Sequence, residues 1–486
     1  VHRPLSHRLD HLEVPLHPVA PVLTFLGAAG TVTGSRFLVD TPQARVLVDA
    51  GLYQGRKELR LRNREPFPVP VESIDAVVLT HAHVDHVGYL PALWCAGYRG
   101  PVHATAGTTA LAGVVLPDAG HLQEEEAEYA NSRGFSKHSP ALPLYTEADA
   151  QATLALLRPT DFGVETEVAP GVFATLQPAG HILGSATVQL RLHSASDRTV
   201  LFSGDLGRPH HPLLVPPVPP GRPDVVVMES TYGDRRHDDE GTVERFAEAI
   251  CRTAARGGMV LIPAFAVDRT EVVLLMLGRL LEEGQIPDLP VFVDSPMALK
   301  ALRVYRRAIT EGAVDIDVEL RGDGDPFDAT NVTEVIDVAG SKALAGLTVP
   351  SIIISASGMA TGGRVVHHLS HLLPDRRNTV MLVGYQAPGT RGRALADGAR
   401  EVKMLGRYVP ARAEVVDLGA FSVHADHLEL TAWLDSAAAE PEIVYLVHGE
   451  PDSSAALADH LQADWIRRVV VPALGERVRL DALGPP

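Results

Sequence analysis

The stretch His81-Ala82-His83-Val84-Asp85-His86 follows directly on the apolar run AVVLT at 76–80. Three imidazoles and a carboxylate, delivered together at the carboxyl end of a buried strand, suit borderline-soft divalent metals, for which these are ordinary ligands. Such a loop points His81 and His83 to one side and lets Asp85 and His86 reach a second point a few ångströms away, which suggests two metals. The competing reading is a solvated turn that happens to be His-rich. Burying so many imidazoles without a metal leaves many polar groups to satisfy, so the metal reading is preferred.

A loop of this kind needs partners from other strand ends, and three further sites repeat its pattern. His181 lies in PAGHILGSA, where Gly180 and Gly184 permit close backbone approach. Asp205 ends the run LFSGDLG, and His448 ends IVYLVHGE. Each alone reads as a cap or turn residue. With the hexapeptide they make seven potential ligands, enough for a bridged dinuclear site.

From residue 22 onward, short β-branched runs alternate with helical stretches, which argues for α/β layers. VLTFLG, RFLVD, RVLVDAG, IDAVVLT, GPVHAT, ATVQLRL and TVLFSGD read as strands, and so do DVVVMES, GMVLIPAF, LPVFVDS, SIIISAS and TVMLVGY. Helices are expected at 148–158, 242–256, 270–283 and 295–309. The proline-dense segment 208–223 excludes regular structure; a functional loop and a plain linker both fit it, and the linker is the preferred reading.

Composition sets outer limits. With 486 residues, 45% of them hydrophobic and 21% charged, the chain is a globular protein of two or three units, not a disordered or fibrous one. A formal charge of −17 excludes a broadly basic nucleic-acid-binding surface but leaves room for a local basic groove. Cys95 and Cys251 cannot build a disulfide framework, and no apolar run is long enough to span a bilayer. A reduced, cytoplasmic chain with no membrane contact is the expectation. The first twenty residues lack the apolar core of a signal peptide and read as a flexible lead-in, so His2, His7, His11 and His17 are set aside as ligands.

Taken in chain order, HAHVDH, PAGHILGS, FSGDLG and LVHGE resemble the motifs of the metallo-β-lactamase superfamily. Asp49 in VLVDAG matches its first motif, which supports the metal loop without binding metal. Glu229 in VMESTYG, His424 in FSVHADH and His448 in VHGE match motifs A, B and C of one branch, the β-CASP nucleases. GMVLIPAFAVDR, FVDSPMA, SASGMATGGR and VGYQAPGTRGRAL are similar to its nuclease blocks. Within that branch the chain looks like bacterial ribonucleases related to the nuclease subunit of the cleavage and polyadenylation specificity factor. The implied fold is α/β, a metallo-β-lactamase αββα sandwich with an inserted α/β β-CASP domain. The implied division is a flexible segment at 1–20, the first part of the sandwich at 21–231, the β-CASP domain at 232–407 and the returning part of the sandwich at 408–486.

Carried over residue by residue, the resemblance places His81, His83 and His181 on one zinc and Asp85, His86 and His448 on the other, with Asp205 bridging. A hydroxide held between two cations is a nucleophile at neutral pH, suited to in-line attack on phosphorus. His424 is the implied general acid for the departing 3′ oxygen, and Glu229 orients it and keeps it protonated. Asp85, Asp205, Glu229 and His424 thus form the catalytic set, while Asp426 and His427 read as helix-start residues. For substrate phosphate the candidates are Ser357, Gly358 and Arg393, with Arg364, Arg391 and the cluster Arg56, Lys57, Arg60, Arg62 and Arg64 as further basic groups.

The expected activity is zinc-dependent hydrolysis of single-stranded RNA to 5′-phosphate and 3′-hydroxyl ends, endonucleolytic or from the 5′ end. The same ligands accept manganese. Three rivals stand beside it: a hydrolase of a small thioester or lactam, a DNA nuclease of the same branch, and a non-catalytic RNA-binding subunit. The Glu229 and His424 blocks argue against the first, His448 against the second and the intact ligand set against the third. Single-stranded RNA is the expected partner, with a homodimer carried as one option.

Overall fold

A computed structural model describes residues 18, 20–134, 138–193, 197–237, 240–321, 324–328, 331–387, 389–464 and 468–481. Most of the lead-in expected at 1–20, with its four histidines, lies outside the described residues.

Two seven-stranded sheets and a six-stranded sheet carry the architecture. The first sheet runs from Arg477–Arg479 through Val22–Phe25, Phe37–Asp40, Arg45–Val48, Ala76–Val78 and Val102–Ala104 to Leu157–Pro159. The second runs from Val469–Val470 through Ile443–Val447, Val225–Glu229, Arg198–Phe202, Ala186–Leu192 and Val172–Pro178 to Thr166–Ala169. Strands covered on both faces explain the unbroken apolar runs. Val46 and Val48 enter the core between the two sheets, while Leu47, one residue out of phase, enters the core under the helices. Val225 and Val227 likewise face the first sheet, and Val226 and Met228 pack with the outer helices His427–Asp435 and Pro451–Asp464. This period of two, read on both sheets, gives helix, sheet, sheet, helix layers.

The third sheet is parallel throughout, in the order Val332–Glu334, Val291–Val293, Ile352–Ser355, Val260–Pro263, Thr379–Leu382, Glu414–Asp417. Helices Thr242–Ala255, Arg269–Glu282 and Pro296–Glu311 cover one face and Arg364–Leu372 the other. The mixed α/β class with an inserted module is therefore as expected. Just beyond the boundary expected at 407, Glu414–Asp417 pairs with Thr379–Leu382 and closes this sheet before the chain returns to the sandwich.

Three local readings are corrected. The helix expected at 148–158 is Glu147–Thr153, capped by Thr146 and Asp149, and Leu157–Pro159 is already an edge strand. The longest helix, Ala106–Arg133, and the strand Val172–Pro178 are additions to the expected set. The segment 208–223 has neither helix nor strand, but it is more than a linker. Leu213 and Leu214 are buried against the third-sheet module, and the Val215 N–H donates to the Asp315 carbonyl at 3.0 Å. Among the described residues no helix is long and apolar enough to cross a membrane.

Candidate metal centre

The carboxyl ends of parallel strands meet at one rim of the sandwich. Asp49 follows Arg45–Val48, the His81–His86 loop follows Ala76–Val78, and His181 follows Val172–Pro178. Asp205 follows Arg198–Phe202, Glu229 ends its strand, and His448 follows Ile443–Val447. His424 arrives from the return segment, which bridges to Gly207. Gly207 has to be glycine here, since a Cβ would stand 1.7 Å from the Gly180 carbonyl oxygen.

Two groups of ligand atoms converge. His83 Nδ1 lies 3.1 Å from His81 Nε2 and 3.2 Å from His181 Nε2. Asp205 Oδ2 lies 3.5 Å from the former nitrogen and 3.6 Å from the latter. Beside them, His448 Nε2 is 3.2 Å from His86 Nε2 and 3.5 Å from Asp85 Oδ2, and His86 Nε2 is 3.3 Å from Asp205 Oδ1. Ligands about 2.0–2.2 Å from a tetrahedral zinc stand roughly 3.3–3.6 Å from one another, so these spacings are close to those a bound ion imposes. Hydrogen bonding is a poorer account: His83 Nδ1 offers one lone pair or one hydrogen, which satisfies only one of its two close contacts. Asp205 Oδ1 is also buried without a hydrogen-bond donor. The donor set therefore fits divalent cations.

In the first group, electrostatics favours the same use. Burial drives His81 and His181 well below the ordinary histidine range and brings His83 down to about 4, so all three are neutral at neutral pH with lone pairs to offer. For His86, burial is outweighed by Asp205 and Asp49, which hold it well above its ordinary range. Burial also opposes the charged form of Asp205, but His448, His86 and His81 together keep its carboxyl well below the usual carboxylate range. The second nitrogen of each of three rings has a partner, and that of His448 also lies 3.3 Å from Asp205 Oδ1. His86 Nδ1 meets Asp49 Oδ2 at 2.7 Å, His81 Nδ1 meets Thr80 Oγ1 at 3.1 Å, and His448 Nδ1 meets Thr231 Oγ1 at 3.2 Å. Asp49 also accepts from the Thr80 N–H and hydroxyl, both at 2.8 Å.

A third set stands against the same carboxylate: Asp205, Glu229 and His424. His424 Nδ1 is 3.4 Å from Glu229 Oε2 and 3.9 Å from Asp205 Oδ2, an ion-pair spacing without hydrogen-bond alignment. Glu229 is fully buried and fixed by the Leu206 N–H at 2.6 Å, whereas the His424 side chain keeps 18% exposure. Burial works against a charged His424, yet Glu229 prevails and raises it above its ordinary range. Asp426 caps helix His427–Asp435 through the Leu428 and Glu429 N–H groups, and His427 opens that helix.

The basic and phosphate candidates divide. Ser357 and Gly358 follow strand Ile352–Ser355, but helix Arg364–Leu372 begins only after Gly363, so they do not form its N-terminus. Ser357 Oγ is 3.0 Å from Thr361 Oγ1. Arg364 is tied to Asp294 at 2.7 Å, and Arg391 donates to the Ala360, Thr361 and Lys403 carbonyls, so both serve the module's own structure. Arg393 is exposed and pairs with Asp397 at 2.8 Å. The 56–64 cluster lies on and around the short, largely exposed helix Lys57–Arg62. Sequence reasoning missed Tyr232 and Tyr385, whose rings meet edge-on at 5.6 Å, with Tyr232 6.0 Å from His424. Their position inside the blocks ESTYG and VGYQ was the available signal.

Comparisons with known proteins bear on the fold and the family. Residues 29–246 match the metallo-beta-lactamase superfamily, 270–395 the Beta-Casp domain and 408–472 a Zn-dependent metallo-hydrolase RNA specificity domain. A protein of Thermus thermophilus named ribonuclease TTHA0252 is 39% identical, over 89% of this chain and 94% of its own. Transcription termination factor FttA of Methanocaldococcus jannaschii is 32% identical over 95% of this chain and 71% of its own, and that of Pyrococcus abyssi is 33% identical over 94% and 71%. A solved structure from Enterococcus faecalis, of unknown function, shares the fold at a TM-score of 0.53 and 15% identity, covering 95% of this chain and all of its own.

Proposed function

The chain belongs to the metallo-β-lactamase superfamily, in its β-CASP branch, and from that premise we propose that it is a zinc-dependent ribonuclease. It cuts single-stranded RNA and leaves 5′-phosphate and 3′-hydroxyl ends. The observation that carries this reading is Asp205, whose two oxygens face different ligand groups while the His424–Glu229 pair stands against the same carboxylate. His81, His83 and His181 would hold one zinc and Asp85, His86 and His448 the other, with Asp205 between them. Bound there, the two cations would supply a nucleophilic water at neutral pH and offset charge on the phosphoryl oxygens.

The remaining work falls to side chains. With Nδ1 turned toward Glu229, His424 has Nε2 free to deliver a proton to the departing 3′ oxygen. Glu229, anchored by the Leu206 N–H, fixes that ring and keeps it charged. Tyr385, half-buried and backed by the buried ring of Tyr232, offers a surface on which an unpaired base stacks, and Ser357, Gly358 and Arg393 contact backbone phosphates beyond it. A net charge of −17 suits a substrate gripped in a local cleft better than one drawn to a broad basic surface. The His424–Glu229 pair and the near full-length ribonuclease relative favour RNA over a small thioester or lactam.

The test is cleavage of one RNA labelled at either end, beside DNA of the same sequence, with the product ends analysed. RNA cut to 5′-phosphate fragments is expected, and the label that shortens first separates endonuclease from 5′-exonuclease. A zinc-loaded chain that leaves RNA intact, or cuts DNA equally fast, would count against the proposal.

A further inference from the structure

The backbone N–H groups of the loop carrying His181 can be accounted for one by one. Those of His181 and Ile182 donate to Ser185 Oγ at 2.9 and 3.2 Å, and that of Ser185 returns to the Ile182 carbonyl at 2.8 Å. The other two leave the sandwich. Leu183 N–H donates to the Tyr305 hydroxyl at 3.0 Å, and Gly184 N–H to Asp315 Oδ2 at 2.6 Å. Both acceptors belong to the third-sheet module, Tyr305 on helix Pro296–Glu311 and Asp315 just after it.

Both acceptors are themselves fixed. Tyr305 is fully buried and its hydroxyl donates to Asp268 Oδ1 at 2.7 Å. Asp268 Oδ2 lies 3.1 Å from His211 Nε2, and His211 Nδ1 accepts from the Leu213 N–H, which makes Nε2 the protonated nitrogen of that neutral ring. Asp315 is held by its own backbone, since its carbonyl accepts from Val215 and the next residue bridges to Leu214. On the opposite side, Thr105 and Thr108 hydroxyls donate to the Gly184 carbonyl at 2.6 and 2.8 Å. Gly184 has φ +79°, and a Cβ there would meet Thr108 N at 2.1 Å, so only glycine fits in this close approach.

These anchors matter because His181 differs from His81, His86 and His448. The rings of His81, His86 and His448 are each oriented by a partner on their second nitrogen, whereas His181 Nδ1 is buried with no hydrogen-bond partner. Its direction is set through the backbone. We propose that Tyr305 and Asp315 are positioning residues for His181, so that one of the two cation positions is completed only when the third-sheet module is docked. The position built from Asp85, His86 and His448 draws its supports, Asp49 and Thr231, from the sandwich strands and their ends. This inference rests on the metal reading above. Coupling is reciprocal: whatever moves the module changes cation affinity at the His181 position, and the cation resists that movement.

Stepwise zinc affinities, measured on the full chain by competition with a chromophoric chelator, test it. In a Tyr305→Phe/Asp315→Ala double variant one cation is expected to bind about 10- to 100-fold more weakly, the usual effect of losing an outer-shell support, while the other is unchanged. The weakened step should be the one lost in His181→Ala. Asp315→Asn keeps a carbonyl acceptor for Gly184 and should retain wild-type affinities. Unchanged affinities in a folded double variant, or equal weakening of both, overturn the positioning role. If the double variant does not fold, Tyr305→Phe alone is held to the same criteria. A wild-type chain that takes up no zinc removes the metal reading, and the positioning role with it.

Discussion

His424 is separated from the ligand groups by chemistry more than by distance. It stands beside Asp205 and Glu229, stays partly exposed and is raised above its ordinary range by Glu229, a combination that none of the other clustered histidines has. His424→Ala should therefore retain both zincs and lower RNA cleavage by about 10²- to 10⁴-fold, as loss of a general acid does. Metal content and turnover on one sample check it, and near-normal cleavage contradicts the role. Glu229→Gln makes a finer test. A general acid works only while protonated, so activity falls as pH rises through its pKa. Glu229 raises that pKa, and removing its charge lets it fall. The alkaline limb of the kcat profile should then move to lower pH in Glu229→Gln, and an unmoved limb would mean that another group donates the proton.

At the scale of elements, the return segment is braced by one helix start. Asp426 accepts from Leu428 and Glu429 within its own helix and from the His237 N–H across the segment, two residues from His424. Asp426→Ala should cost about 0.5–2 kcal/mol of stability in chemical denaturation, the usual value of an N-cap. It should leave zinc content intact, and unchanged stability would show that the cap is redundant. What was legible in the sequence divides along physical lines. Strands such as Val225–Glu229 stood out because burial on both faces makes them continuously apolar. Helix Ala106–Arg133 escaped because Gly113, Pro117 and Gly120 interrupt a weakly amphipathic sequence, and its exposed second half shows little apolar periodicity. The stabilising contacts of Leu111, Val115 and Leu116 are tertiary, and only the fold reveals them.

Over the whole molecule, the His81–His86 loop announced itself because its residues are adjacent. Tyr305 and Asp315 could not, since each meets the His181 loop across more than a hundred residues and bonds only to its backbone. Thr80 and Thr231 were hidden for a related reason: a threonine beside a ligand carries no mark of which ring nitrogen it faces. The metal centre joins strand ends from both sheets, so its cations should stabilise the sandwich. A ligand that binds only the folded state contributes about 4 kcal/mol when present at a thousandfold above its Kd. Chelation should lower the thermal unfolding midpoint and added zinc should restore it; a midpoint indifferent to both would place the cations elsewhere. The most direct measurement is anomalous diffraction at the zinc edge from crystals of the purified chain. Two peaks are expected, one among His81, His83 and His181 and one among Asp85, His86 and His448, with Asp205 between them. A single peak, or one seated between Asp205, Glu229 and His424, would contradict the account.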